Sequence, residues 1–312
     1  MFKNVMVYRI GEGWNPSLSD VENALQGQRF VACGATQDKS VGWAEPRGLE
    51  HGPLVESVGG QWIAKLVIES KAVPGSVVRR KLDEQVAEIE AATGRKPGKK
   101  EKRHLQDEIL LSLLPQAFAR QSSVLVWLDL QARRLVLNAG SQGKADEGVS
   151  ALLKALPGLH IALLQTATTP QAAMTEWLLA PAPEDWPGEL AVERECTLKA
   201  MGEDAASIRY VRHHLNNDDV RKHVSEGKLP TQLALSWDGR VAFVLTDTLQ
   251  LKKVQFLDGV LDASGSDQEE DRFDADVALA TGLLAPLLEQ LVTALGGELE
   301  WGAQPPADDP PF

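Results

Sequence analysis

The chain has 312 residues, enough for two or three compact domains with real cores. Lys and Arg total 32 against 44 Asp and Glu, a formal charge of −12, yet residues 258–312 hold 13 of the acids and a single base, Arg272. The rest is neutral, with 31 charges of each sign, which argues against a protein that coats polyanions with its whole surface and leaves room for one locally basic face.

Taken in order, Phe2 to Ile10 reads as a strand stopped by Gly11-Glu12-Gly13. A polar helix is expected over Ser17 to Gln26, with Ser19 or Asp20 as cap and Leu18, Val21 and Leu25 at helical spacing. Gln61 to Ile68 is a strand after the Gly59-Gly60 turn. Pro74 to Pro115 then carries two helical patterns. In the first, Ser76 is a cap candidate and Val78, Leu82, Val86 and Ile89 form one apolar stripe. In the second, from Lys99 to Leu114, the stripe is Leu105, Ile109, Leu110, Leu113 and Leu114, with Pro115 as its stop. Thr93 to Gly98 is a turn by composition, so residues 74–117 are expected to form a projecting antiparallel helical hairpin.

Strands return at Ser123 to Leu128 and Arg134 to Asn138, followed by a helix from Lys144 to Leu156 closed by Pro157-Gly158. The Pro- and Ala-rich stretch 181–187 reads as a linker. Beyond it, Leu190 to Leu198 alternates, and a short helix starts at Asn216 or Asn217 and ends at Gly227. A meander over Thr231 to Leu257 has Asp238-Gly239 as its first turn. A last helix spans Phe273 to Leu295, where Pro286 is expected to kink or split it, and residues 301–312 are Pro-rich, acidic and expected to be disordered. Strands and helices come in blocks rather than strict alternation, which indicates an α+β fold of antiparallel sheets flanked by helices. The expected division is a central domain of residues 1–73 with 118–180, the hairpin, and a C-terminal base domain of 181–300.

Cys33 and Cys196 stand far apart with no CxxC or Cys/His cluster, which offers neither a disulfide framework nor a zinc site and fits a reducing cytoplasm. Lys3, Arg9 and Glu12 break any secretory signal, and no uncharged apolar run approaches the ~18 residues of a membrane span, so no membrane association is expected. Arg95, Lys96, Lys99, Lys100, Lys102 and Arg103 crowd the hairpin turn, with Arg79, Arg80 and Lys81 at its base. They are either solvated charges or phosphate contacts, sequence-neutral and salt-sensitive. A second group comprises Arg209, Arg212, Arg221, Lys222 and Lys228 among His213, His214 and His223, with Lys252-Lys253 on the meander. Adjacent His213 and His214 would point to opposite faces of a strand, which opposes a metal site.

The acids Asp267, Glu269, Glu270, Asp271, Asp274 and Asp276 could serve a two-metal hydrolase. A loop and helix start, with Asp271 or Asp274 as cap, is the simpler reading. No GxxxxGK[ST], GxSxG or HExxH string is present, so no catalytic residue and no cofactor are assigned. The eight Trp are scattered core residues rather than a base-stacking platform.

Several strings occur together in one order: FKNVMVYR at 2–9, Gly42-Trp43, DEILLSLLPQAFAR at 107–120, Thr175-Glu176-Trp177, Glu226-Gly227-Lys228 leading to LALSW at 233–237, and RFDAD at 272–276 with Thr281-Gly282. In this the chain resembles the recombination-associated protein RdgC family over residues 2 to about 297. The resemblance implies a non-enzymatic, cytoplasmic, nucleoid-associated protein that binds duplex DNA, and by extension single strands, without sequence specificity and restrains RecA. It also implies a crescent-shaped protomer closing into a ring-shaped homodimer around DNA, with an isologous contact at each end. Carried over residue by residue, Phe118 resembles the aromatic at the hairpin-side dimer interface and Arg120 stands beside it. Lys228 matches a basic position expected to face DNA; in Ile208 to Leu215 only Arg212 keeps a charge where relatives are lysine-rich. The expected DNA contacts are therefore Arg79, Lys81, Lys99, Lys100, Arg120, Arg212, Lys228 and Lys252. The competing readings are a metal-dependent nuclease built on the Asp267 to Asp276 acids, or a protein-interaction scaffold with an acidic C-terminal domain.

Overall fold

The computed structural model describes residues 1–182, 186–202, 206–257 and 269–300, and of 269–271 the backbone alone. In chain order the elements are β1 (Asn4–Ile10), α1 (Leu18–Gln26), β2 (Lys39–Ala44), β3 (Val55–Val58), β4 (Gln61–Lys71), α2 (Gly75–Thr93), α3 (Lys99–Leu113), β5 (Ala119–Asp129), β6 (Arg134–Leu137) and α4 (Gln142–Ala155). There follow β7 (Ile161–Leu163), α5 (Pro170–Leu179), β8 (Leu190–Ala200), β9 (Ser207–Val211), α6 (Asp218–Ser225), β10 (Lys228–Trp237), β11 (Val241–Thr246), β12 (Leu251–Phe256) and α7 (Glu269–Ala294). The class is α+β, and every strand pairing in the sheet is antiparallel.

The strands join into one 12-stranded sheet in the order β2-β4-β5-β6-β1-β12-β11-β10-β8-β9, with β3 beside β4 and β7 beside β1. The seam is β1 on β12, where Asn4 faces Lys252 and Val5 faces Leu251. Because side chains alternate along a strand, β1 feeds two cores. Met6, Tyr8 and Ile10 join Leu66, Val124, Val126, Leu135 and Leu137 under α1 and α4. Val5 and Val7 join Ile63, Trp127 and Val136 on the reverse face, in a core shared with α5, α6, α7 and the inward residues of β8, β10, β11 and β12. The N-terminal half of the sheet is thus covered on both faces. The C-terminal half has all its described helices on one.

Local signals account for most boundaries. Ser17, not Ser19 or Asp20, caps α1: its hydroxyl accepts from Asp20 N–H while the Asp20 carboxylate accepts from Ser17 N–H at 2.9 Å. This reciprocal pair outcompetes a cap inside the helix because it satisfies two donors at once. Helix α2 starts at Gly75 behind Pro74, so Ser76 lies in its first turn rather than at its cap. Gly94, in the left-handed conformation at φ 70°, ends it. Helices α2 and α3 meet through Val78, Ile109 and Leu113, whereas Leu110, expected in the apolar stripe, is exposed, as is Leu111 at 51%. The Asp238-Gly239 turn has positive φ at both positions, 47° and 60°, as a two-residue hairpin requires.

Pro286 does not split the last helix: α7 runs unbroken from Glu269 to Ala294. The backbone bond that Pro286 cannot make would go to Gly282, which is exposed. On the other side Leu284, Leu287, Leu288 and Leu291 are at most 2% exposed. Their burial, each contributing about 1.5–3 kcal/mol, outweighs the defect. The Arg272–Ala294 stretch is also long and apolar enough to cross a membrane by length and composition, with mean hydropathy 1.6. Here that apolarity is spent on the sheet. Because α7 begins at Glu269, Asp274 sits inside it and is not its cap. Elements β2, β3, β7 and α5 are additions to what the sequence predicts.

Candidate nucleic-acid interface

The register of the C-terminal half sorts its bases by face. On β8, Cys196 and Leu198 point into the helix-covered core, so Thr197 and Lys199 point to the opposite side. Pairing carries that side to Arg209 on β9, opposite Thr197, and to Gln232 on β10. Gln232 faces Thr246, and two residues along β11 Val244 faces Lys252. Lys199, Arg209 and Lys253 are exposed and Lys252 is half-buried. The face is open at Lys199 and Arg209, whereas Val244 and Thr246 on the same side of β11 are buried.

Two carboxylates lie among these bases. Glu195 takes an ion pair from Lys253 at 3.0 Å and from Arg209 at 4.0 Å. Lys253 reaches it from a bulged position with φ 53°. Asp247 is pushed above the usual carboxylate range by burial, against the pull of its own backbone bonds and of Lys252 and Lys199. That pull marks both lysines as its neighbours. The result is four bases around two acids on an open strand surface.

The eight predicted contacts are not gathered at one place. Lys252 lies on this open face. Lys228 lies on the other: it pairs with Ala200, in phase with Leu198, and its ammonium is held by Glu226 at 3.0 Å and His223 Nδ1 at 3.1 Å, with the side chain 18% exposed. In return Lys228 draws the Glu226 carboxyl below its ordinary pKa. Arg212 is exposed one residue beyond β9, in a left-handed conformation at φ 55°. That bend removes His213 and His214 from any strand, contrary to expectation; His213 Nδ1 sits 2.7 Å from the His214 carbonyl instead. No group of three or more His, Cys, Asp or Glu among the described residues could hold a metal.

The other predicted contacts surround α2 and α3. Arg79 and Lys81 are exposed on α2, and Lys99 and Lys100 occupy the first turn of α3, ahead of Lys102 and Arg103. Four bases in the first five residues of a helix oppose its dipole, each costing about 0.3–1 kcal/mol unless an anion approaches. Internal pairing relieves Arg95 through Glu101 at 3.3 Å and Lys96 through Glu90 at 3.7 Å. Arg120 is exposed on β5 opposite Ser70. Phe118, just before β5, is 94% exposed, the most exposed large apolar side chain among the described residues.

Of the acidic run, Asp267 lies outside the described residues, and Asp274 is an ion-pair partner. Arg47 bonds Glu56 and donates to Asp274 at 2.5 Å, with its guanidinium 4.6 Å from the Phe273 ring centre. Lys199 is not among the contacts expected from sequence. Its signal was the alternation in LAVERECTLKA, which places Lys199 out of phase with the buried Cys196 and Leu198.

Comparison with known proteins adds what geometry cannot. The family model described as "Putative exonuclease, RdgC" matches residues 1–298. The chain belongs to the RdgC family. Relatives named "Recombination-associated protein RdgC" are similar to it along their whole length. The protein of Dechloromonas aromatica is 39% identical over 96% of this chain and 98% of its own. That of Janthinobacterium sp. is 39% identical over 96% and 99%. That of Cupriavidus pinatubonensis is 40% identical over 95% and 98%.

Proposed function

We propose that this RdgC-family chain binds DNA without sequence preference, as a ring-shaped homodimer that encircles the duplex and restrains RecA-mediated recombination on the nucleoid. The observation that carries the reading is the strand face that gathers Lys199, Arg209, Lys252 and Lys253. A sheet face of alternating short polar and basic side chains offers phosphate contacts and little to read base edges. The bases that open α3 give a second contact, and single strands would meet the same charges. An acidic total is compatible with this because the excess acids lie from residue 258 onward.

Ring closure needs two isologous contacts per protomer. One is assigned to Phe118 at the foot of a projecting α2–α3 hairpin, residues 74–117, and one to the base domain, residues 181–300. An exposed Phe118 is the aromatic anchor such an interface requires. The test uses a fluorescent linear duplex and a covalently closed circle of the same sequence across a salt series, with oligomeric state measured in parallel. A dimer that holds the circle at high salt and slips off the linear ends is expected. Equal release from both would leave a basic patch without a ring. Charge reversal at Lys199 and Arg209 should flatten the log–log salt slope by roughly 0.9 per lost phosphate contact; an unchanged slope would remove this face from the reading.

The description of the family model favours a second reading, an exonuclease. Incubation of labelled linear duplex with magnesium or manganese separates the two: binding without shortening is expected. Stepwise shortening that survives purification and is lost in Asp274→Asn would establish the nuclease instead.

A further inference from the structure

The basic face carries a chain of ion pairs that runs across its strands. Glu195 on β8 holds Lys253 of β12 and Arg209 of β9 on a single carboxylate oxygen, Oε2, at 3.0 and 4.0 Å. Two strands, β11 and β10, separate β12 from β8. Three strand spacings amount to about 14 Å in a flat sheet, so the Lys253 and Glu195 side chains lie along the face rather than standing up from it. The intervening strands present short side chains on this side at the paired position of Ala234 and Val244, which leaves room for the bridge. All three charged side chains are open to solvent, with exposures of 58% for Lys253, 37% for Glu195 and 62% for Arg209.

A carboxylate oxygen set between an ammonium and a guanidinium stands where a phosphate oxygen would, with the same sign of charge and the same capacity to accept from N–H donors. We propose that Glu195 is a displaceable phosphate mimic: it neutralises Lys253 and Arg209 in the free protein, and a DNA phosphate takes its place between them. The inference rests on the DNA-binding reading above and adds the residue that regulates that site. Exposed ion pairs contribute little to stability, so a polyanion can open the bridge. A lone anion breaks both pairs in return for one set of contacts. A duplex along the face brings further phosphates to Lys199 and Lys252 at the same time, so the bridge favours long polyanions over mononucleotides.

The test is fluorescence anisotropy of a labelled duplex with the full chain at low salt. In Glu195→Gln both bases lose their internal partner, and binding about fivefold tighter than wild type is expected, the upper end of what an exposed pair contributes. Glu193→Gln is the control. Glu193 lies on the same face, where its Oε1 accepts from the Ser236 hydroxyl at 2.8 Å, and among the described residues it forms no ion pair. Its replacement removes the same charge without freeing a base, and a gain of less than about twofold is expected. In a background carrying Lys253→Gln and Arg209→Gln, Glu195→Gln should change nothing. The proposal is overturned if Glu195→Gln binds no tighter than wild type, if Glu193→Gln gains as much, or if the gain survives in the background without the two bases. Each of these leaves the DNA-binding reading standing, whereas failure of both wild type and Glu195→Gln to bind the duplex overturns reading and proposal together.

Discussion

The two halves of the sheet are built from the same antiparallel strands and differ in what covers them. In the N-terminal half, β1, β5 and β6 are sandwiched: α1 and α4 seal one face and α7 closes over the other, so successive residues such as Leu135, Val136 and Leu137 are all buried. In the C-terminal half the described helices α5, α6 and α7 lie on a single face, and toward the outer edge successive residues alternate, as in buried Cys196, half-buried Thr197, buried Leu198 and exposed Lys199 on β8, although Phe243 to Thr246 on β11 are all buried. A face without helices can carry bases at the strand period. The sandwiched half has no such freedom on its inner strands, and its exposed bases lie on helices such as α2, α3 and α4, on the edge strand β2 and at strand ends.

Besides the β1–β12 seam, helix α7 makes the two halves one structure, since its inner residues belong to one continuous core with Ile63, Trp127 and Val136 as well as Leu235 and Phe243. Leu284→Ala, at a fully buried site, should cost about 2–5 kcal/mol by denaturant titration. Fluorescence and circular dichroism should lose structure in one shared transition. Two separated transitions would show that the halves fold independently and that α7 belongs to only one of them.

The second tie is polar. Arg47, in the loop before β3, joins Glu56 on β3 to Asp274 on α7, and these partners raise its pKa against the opposing effect of burial. Removing the guanidinium leaves the Glu56 carboxylate, 10% exposed, without its cation. Arg47→Ala should therefore cost roughly 3 kcal/mol, measured in the same titration. A cost below that of a surface substitution would mean that α7 is held by its leucines alone.

A smaller effect, confined to the N-terminal half, is expected at Gly42. A Cβ there would sit 2.4 Å from the Phe30 Cα, because the segment 28–30 pairs along β2 through Phe30 N–H to the Trp43 carbonyl and Trp43 N–H to the Gln28 carbonyl. Gly42→Ala should cost about 1–3 kcal/mol and expose amides 28–30 and 43 to hydrogen exchange before those of β10 and β11. Faster exchange in both halves together would contradict the local account. The same contact explains in physical terms why a Gly-Trp pair stands there.

How much could be read beforehand follows from these particulars. Strands whose alternation or apolar run is strong, β1, β4, β5 and the β10–β12 meander, were legible, as were the Asn217 cap and the Asp238-Gly239 turn. The short strands β2, β3 and β7 were not, because three to six residues whose buried, half-buried and exposed side chains follow no regular order carry no period. Helix α5 was hidden by being apolar all round, with Thr175, Trp177 and Leu178 buried together; its one local signal is Thr169 capping ahead of Pro170. Among site residues, charge clusters were visible but their faces were not. Lys228 and Lys252 read alike until the β8–β10 register puts them on opposite sides.

The smallest expected effect tests the outer edge of the N-terminal half through pH. Glu69 on β4 is 4% exposed and accepts from the Gln121 side chain at 2.6 Å and from Cys33 N–H at 2.7 Å. These bonds, Gln121 first, hold its carboxyl below the ordinary glutamate pKa. A group whose pKa is depressed on folding stabilises the fold fully above its unfolded pKa of about 4.3, and that contribution disappears as pH falls through the lower folded value. Glu69→Gln should therefore be less stable than wild type at neutral pH, and the gap should close on acidification below about pH 4. Denaturant titrations of both proteins at several pH values measure it. If the gap stays constant into the acid range, the loss comes from repacking against Cys33 and Gln121 rather than from the carboxylate charge, and the edge is held by shape and neutral hydrogen bonds as the interior strands are.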